Sequence, residues 1–326
     1  MKAIVCRQHG LPDVLALEDV PSPRAGPGQI VVGVKAAGTG FADILMVQGK
    51  HQLKPQCPFT PGMELAGVVT EVGPGITDYK PGDRVCAYLR HGGAFAEEVA
   101  VTVNYTVAHL PENVDMVAAA AFPMTYGTSF HALKDRGLLK SGETVLVLGA
   151  SGGVGIAAVQ LAKIMGARVI ACASTAEKLA VCRRYGADEV INYETENLRE
   201  AIRRLTDDKG VDVVCDQIGG KYAEAALRGM AWNGRYCVVG FASGSIPQIP
   251  LNLVLLKGCA ITGVAIGANA LRDPTDYRAH LLQMLEWIDS GRLEPAVTAT
   301  YPLAATANAL NDLMQRKVQG KAVIVV

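Results

Sequence analysis

The residues with the plainest chemical use form a glycine-rich turn, Gly149-Ala150-Ser151-Gly152-Gly153-Val154-Gly155. Four apolar residues at 145–148 precede it, and their length and β-branched content predict a buried strand. Val154, Ala157, Ala158, Leu161 and Met165 follow near helical spacing, which predicts a helix with an apolar stripe. Gly149 can make the tight turn, Gly152 leaves room for a ligand against the backbone, and Gly155 permits close helix–strand packing. The unpaired N–H groups and partial positive charge at a helix start suit an anion. With a second apolar stretch at 168–172, the segment has the βαβ context of a dinucleotide site, with Ser151, Gly152, Gly153 and Val154 at the pyrophosphate.

The elements that must position this turn read outward from it. Strands expected at 145–148, 168–172, 190–193, 211–215 and 236–240 alternate with helices at 154–165, 177–185, 198–205 and 222–230. This order predicts an α/β fold with a doubly wound parallel sheet. Gly166 and Gly186 are natural helix stops, and Ser174 or Thr175 can cap the second helix. Earlier in the chain, short strands at 3–5, 30–36, 67–72, 84–87 and 95–101 are punctuated by Pro and Gly, which predicts a β-rich unit. Helices are expected at 41–47 (burying Ile44, Leu45 and Val47), 117–122 and 126–134. Beyond 263 come a helix at 277–290 with Leu281, Leu282, Leu285 and Ile288 on one side, a helix at 303–316 and a strand at 322–326. These are too few for a domain and are expected to complete the N-terminal one.

Bulk properties narrow the function. The chain has 326 residues, half of them hydrophobic, and 31 basic against 31 acidic side chains. Zero formal charge argues against a general nucleic-acid binder. No apolar segment reaches the length of a membrane span, and the N-terminus lacks a signal-like apolar run, so the expected location is cytoplasmic. The eight cysteines include no C-x-x-C pair and read as free thiols.

Several further motifs carry a resemblance. They are MKAIV at the start, GTGFAD at 38–43, Pro61-Gly62-Met63-Glu64-x-x-Gly67, Gly73-x-Gly75, Lys80-Pro81-Gly82-Asp83-Arg84-Val85, Gly93-Ala94-Phe95-Ala96-Glu97 and the GASGGVG turn. Together they resemble the medium-chain dehydrogenase/reductase superfamily, specifically its zinc-free quinone oxidoreductase (zeta-crystallin-like) branch, over essentially the whole chain. The resemblance implies a GroES-like β-rich catalytic domain from residues 1–122 and 263–326, with a Rossmann NADP-binding domain at 123–262 between them. It also implies a homodimer and a small-molecule substrate in an interdomain cleft.

Zinc members of the superfamily need a Cys where this chain has Gly40 and a His where it has Met63, and neither residue can ligate zinc. The expectation is therefore no metal. An NAD site commonly ends its second strand with an acid for the ribose hydroxyls. Here that strand runs into Ala173-Ser174-Thr175, with Lys178 one turn later and Tyr193 after the third strand. A small hydroxyl and a cation suit a 2′-phosphate, which favours NADP(H); Glu177 should point away. By resemblance Ser174, Lys178 and Tyr193 hold that phosphate, and Arg316 approaches it. On the same basis Thr125, Tyr126, Gly240, Phe241, Ala242, Val264 and Ile266 line the nicotinamide half.

The expected reaction is hydride transfer from NADPH to a quinone or other α,β-unsaturated carbonyl, which delocalises the incoming charge without a metal. The alternatives are an enoyl-thioester (acyl-CoA) reductase or an NADPH-binding protein with little turnover. Gly40, Phe41 and His51 are expected in the substrate cleft, with His51 and Tyr126 as catalytic candidates. Quinone reductases of the family often carry Asn and Tyr where this chain has Gly40 and His51. Asp43 and Glu64 are expected to hold loops rather than to act as acids.

Overall fold

The computed structural model describes residues 1–104 and 106–326. They form two compact units, Met1–Gly127 with Gly267–Val326, and Thr128–Ile266. The boundaries expected from sequence were 122/123 and 262/263.

The first unit is organised on the strand Gln29–Gly38. It pairs antiparallel with Glu64–Val72 on one side and with Lys321–Val325 on the other. Its first five residues also pair with Glu98–Thr102. Arg84–Tyr88 and Val107–His109 extend the sheet on one flank, and Val297–Pro302 ends it on the other. Lys2–Cys6 and Leu15–Asp19 make a separate antiparallel pair. Ile30, Val32, Leu65, Val85, Phe95 and Ile324 meet in the core of this unit. The return of the late strand to the early sheet is the completion expected from sequence. The short strands Leu15–Asp19, Val107–His109 and Val297–Pro302 were not expected; the first and last have no fully buried residue to give a signal, and the middle one is only three residues long.

The second unit is a six-stranded parallel sheet. Its order is Glu189–Asn192, Arg168–Ala173, Thr144–Leu148, Val211–Asp216, Met230–Val238, Ala260–Gly263. Numbered along the chain this is 3-2-1-4-5-6, the doubly wound dinucleotide-binding order. The sixth strand was missed because it is four residues long and mostly exposed. The strands bury Leu146, Leu148, Ile170, Cys172, Ile191 and Val214 in one core.

Four helices differ in some respect from the pattern read in sequence. Gly153–Ile164 carries no single buried stripe, because Gly155 through Ala162 are all buried. In Pro274–Asp289 the buried side is Tyr277, His280, Leu281, Met284 and Leu285, while Leu282 is exposed about a quarter-turn beyond Leu281. The helix Thr125–Phe130 widens into a π-helical stretch, His131–Arg136, where Gly137 N–H donates to the Ala132 carbonyl five residues back. Phe41–Val47 is a helix as expected, but it buries Asp43, Ile44, Met46 and Val47 rather than Leu45. All eight cysteines are free thiols. Among the described residues no helix is long and apolar enough to cross a membrane.

Candidate functional site

The glycine turn lies at the C-terminal end of Thr144–Leu148, the first strand of the parallel sheet. Its neighbour on the far side is Val211–Asp216, so the turn opens at the point where the strand order reverses. Ligands of open α/β sheets bind at such switch points. Gly149 has φ +68°, in the left-handed region. A Cβ on Gly155 would stand 2.3 Å from the Gly149 carbonyl oxygen and 2.6 Å from Ala150 Cα. Close packing of helix against turn therefore requires glycine at 155. Gly152 differs: a Cβ there would meet only the Gly149 oxygen, at 3.6 Å. The protein leaves this space open.

Gly152 is also the N-cap of the twelve-residue helix Gly153–Ile164, and among the described residues no side-chain cap is made there. Ser151 is buried beside them, and the Val154 carbonyl accepts from Ser129 Oγ at 2.7 Å. An uncapped helix start facing an open glycine fits an anionic ligand. A second polar group on the adjoining strand end points the same way. Gln217 Nε2, just past Val211–Asp216, is buried without a hydrogen-bond partner among the described residues.

Ser174 and Tyr193 come together through the sheet. The register pairs Asn192 with Ala173, and Tyr193 N–H donates to the Ala173 carbonyl at 3.3 Å, which sets Tyr193 beside Ser174. The Tyr193 ring packs on Tyr222, with centroids 4.3 Å apart. Thr175, not Ser174, caps the helix Ala176–Arg184 by accepting from Lys178 N–H. That leaves the Ser174 hydroxyl outside the cap. Lys178 is half-buried and has no ion pair among the described residues. Glu177 is exposed, and a hydrogen bond from the Thr175 hydroxyl holds its carboxyl below the usual range.

The strand ends four to six carry the next group. Val239 and Gly240 N–H donate to the Asp216 carbonyl, and Ala242 N–H to the Gln217 carbonyl. Phe241 is exposed, and Val264 N–H donates to the Val238 carbonyl. Ile266 is buried at the last position of the unit. Asp216 organises this corner. It accepts from Tyr236 Oη at 2.5 Å and from the N–H groups of Ile218 and Gly219 at 2.8 Å each. Burial pushes its carboxyl above the usual range against those hydrogen bonds. Asp216 and Gln217 were not picked out from sequence. The signal was present in Asp216-Gln217-Ile218-Gly219-Gly220, a polar and glycine-rich exit from an apolar strand.

In the first unit the candidates separate into exposed and buried ones. Phe41 is exposed at the helix start, and Gly40 N–H donates to Asp43 Oδ2 at 2.7 Å. His51 is held by its own N–H to the Leu45 carbonyl and accepts at Nδ1 from Leu53 N–H at 3.0 Å. Burial lowers its pKa from 6.5, with Arg90 adding to the effect. At neutral pH His51 is therefore an uncharged imidazole with its proton on Nε2, a hydrogen-bond donor rather than a cationic acid.

Tyr126 is different. It is wholly buried, and its Oη accepts from Ala296 N–H at 2.8 Å and lies 3.4 Å from the Glu294 carbonyl. Those contacts hold the Tyr126 ring and hydroxyl in the interior of the first unit. Thr125 is also buried. Its Oγ1 donates to Glu64 Oε1 at 3.1 Å and accepts from Lys321 Nζ at 2.9 Å. Glu64 Oε2 accepts from Met124 N–H at 2.9 Å. With both oxygens engaged and the side chain 1% exposed, Glu64 holds the unit together. Arg316 is exposed after the helix Thr306–Met314, with φ +60°.

Comparison with known proteins identifies the family. The family described as "Alcohol dehydrogenase GroES-like domain" matches residues 26–112, and "Zinc-binding dehydrogenase" matches residues 153–287. The chain is 39% identical to the quinone oxidoreductase-like protein 2 homolog of Nematostella vectensis, over 99% of this chain and 88% of that protein. Among solved structures it resembles a probable oxidoreductase from Mycobacterium abscessus, with TM-score 0.89, 40% identity and coverage of 100% and 99% of the two chains. It also resembles the Escherichia coli quinone oxidoreductase complexed with NADPH, with TM-score 0.93, 29% identity and full coverage of both chains.

Proposed function

The chain belongs to the quinone oxidoreductase family of medium-chain dehydrogenases/reductases, and from that premise we propose that it is an NADPH-dependent reductase of quinones or other α,β-unsaturated carbonyls, working without zinc. The observation that carries the reading is the uncapped helix start at Gly152, set at the switch point of a 3-2-1-4-5-6 sheet whose second strand, Arg168–Ala173, is followed by Ser174 instead of an acid. The E. coli relative of the same fold is a complex with NADPH.

In this reading the N–H groups that follow Gly152 take the pyrophosphate. Ser174 donates a hydrogen bond to the 2′-phosphate, Lys178 supplies charge, and Tyr193 flanks the adenosine. Gln217 Nε2 supplies a donor near the ribose or nicotinamide. Phe241 and Val264 shield that half from water. Bound NADPH provides the hydride. In the first unit Gly40 and Phe41 give the acceptor an uncharged, partly apolar surface, and His51 Nε2–H donates to the acceptor oxygen as negative charge gathers there. Zinc independence rests on residue type, since Gly40 and Met63 offer no ligand atom where zinc relatives have Cys and His. A homodimer is supported by the outer edge of Ala260–Gly263, which pairs on one side only among the described residues, and by exposed Trp232, Leu251, Leu255 and Leu256 in the same unit.

The test is loss of nicotinamide absorbance with NADPH or NADH against a panel of p-quinones, 2-alkenals and enoyl-CoAs. NADPH-dependent turnover of quinones or enones is expected. A preference for enoyl-CoA moves the reading to a thioester reductase. Tight NADPH binding with no turnover on any of them overturns the enzyme reading.

A further inference from the structure

Outside the dinucleotide site, one group of side chains in the first unit brings soft ligand atoms together. Cys6, His9 and Cys57 each place one ligand atom (two sulfurs and a ring nitrogen) within 4.8 Å of the others. Cys6 is the last residue of the strand Lys2–Cys6 and is fully buried, whereas His9 and Cys57 are half-buried. One side of the group is therefore closed by the core and the other is open to solvent.

The backbone fixes this juxtaposition from both sides. Cys6 N–H donates to the Phe59 carbonyl at 2.8 Å and Phe59 N–H returns to the Cys6 carbonyl at 3.2 Å, so the segment carrying Cys57 is bonded directly to the strand carrying Cys6. His9 is set by a different contact. A Cβ on Gly49, which has φ +65°, would stand 2.9 Å from the His9 ring, so glycine there makes room for the ring. His9 Nδ1 is 3.3 Å from the Val47 carbonyl oxygen. A proton on Nδ1 donated to that carbonyl leaves the lone pair on Nε2, the tautomer that backbone carbonyls impose on metal-binding histidines.

We propose that Cys6, His9 and Cys57 form a zinc(II) site, separate from the residues assigned to cofactor and acceptor. Two thiolates and an imidazole are a borderline-soft donor set that suits this ion. On binding, two S–H bonds give way to two zinc–sulfur bonds, both protons pass to solvent, and the His9 lone pair makes the third bond. Water from the open side fills the fourth position. Bonds of about 2.3 Å to sulfur and 2.0 Å to nitrogen place tetrahedral ligand atoms roughly 3.5–3.8 Å apart, so the side chains need close by only about 1 Å. The ion would tie the first strand to the segment between Val47 and Phe59, which carries His51. It would act as a clamp on that segment and take no part in hydride transfer.

The experiment is an anaerobic titration of the reduced, chelator-treated full chain with cobalt(II). One ion per chain is expected, with sulfur-to-cobalt charge transfer and the visible bands of tetrahedral cobalt, both bleached by added zinc. Cys57→Ser and His9→Gln should each weaken binding by at least the about 10–100-fold that loss of an outer-shell partner costs. Circular dichroism and an unchanged melting temperature without metal would show that these variants are folded. Cys259→Ser, a half-buried thiol of the other unit, should leave the titration unchanged. Absence of charge transfer in the wild type overturns the proposal, as does its survival in Cys57→Ser. Loss of two titratable thiols in air as a Cys6–Cys57 disulfide, with no cobalt taken up after reduction, overturns it in favour of a redox pair.

Discussion

Lys321 Nζ lies 2.5 Å from Glu64 Oε1, and the two side chains are 3% and 1% exposed. Lys321 also donates to the Thr39 carbonyl and to Thr125 Oγ1, so one cation joins the start of the last strand, the end of Gln29–Gly38 and the start of Glu64–Val72. The close approach depends on Gly38, where a Cβ would stand 2.6 Å from Glu64 Oε1. Lys321→Met should cost about 3–5 kcal/mol, because it strands a buried carboxylate. Adding Glu64→Gln should recover part of that loss, since the amide oxygen still accepts from Met124 or Thr125. Urea denaturation of the single and double variants checks both. A double variant no more stable than Lys321→Met would mean that packing, not charge, dominates.

Gly152 and Gly155 should separate ligand space from protein space. Gly155→Ala drives a methyl into backbone and should lower stability by about 1–3 kcal/mol. Gly152→Ala meets no close protein atom, so its melting temperature without cofactor should match the wild type. The rise in melting temperature with NADPH should be lost in Gly152→Ala. Equal thermal shifts in the variant and the wild type would mean that the pyrophosphate does not pass over this glycine.

Lys178→Glu places a carboxylate one turn from Ser174. The KM for NADPH should rise by at least about tenfold, roughly 1.4 kcal/mol, with that for NADH changing far less. A parallel change for both cofactors would make Lys178 an ordinary surface lysine.

His51 should act as a neutral donor, because burial holds its pKa below 6.5 and Leu53 N–H occupies Nδ1. kcat/KM for a quinone should then be flat above pH 6.5, with no loss as imidazolium disappears. His51→Gln keeps an N–H donor and should retain most activity, whereas His51→Ala should lose roughly 10²-fold, the scale of one oxyanion donor. A rate that climbs with protonation below pH 8 would instead identify an imidazolium acid.

Asp43 is buried, its Oδ1 lacks a partner among the described residues, and burial raises its pKa from 3.8 to about 7 despite Lys321 nearby. Between those values the native state holds a proton that the unfolded state has lost. Stability from this group is therefore greatest at low pH and falls as pH rises toward 7. The wild type should lose stability relative to Asp43→Asn across that range and run parallel to it above pH 7. Melting temperatures of both proteins against pH measure this directly.

The parallel sheet was legible because its strands are apolar runs bounded by glycine, and five of the six were expected in their places. The sixth was not, since Ala260–Gly263 is an exposed edge and exposure removes the apolar signal. In the site, the glycine turn and Ser174 could be read from local chemistry. The fate of Tyr126 could not, because its partners lie 168 and 170 positions away. Gln217 is an intermediate case: its polar, glycine-rich surroundings mark a loop in the sequence, but only the switch point beside it marks the amide as a site residue.

The last strand has a consequence for the order in which the protein can assemble. Glu64 meets Lys321 across 257 positions, and everything between Thr128 and Ile266 folds as a unit with its own sheet. On a ribosome that inner unit can finish while the outer one still waits. Until residue 321 has emerged, the outer unit has a carboxylate to bury and no cation to bury with it. Its closure is deferred by charge as well as by the missing strand.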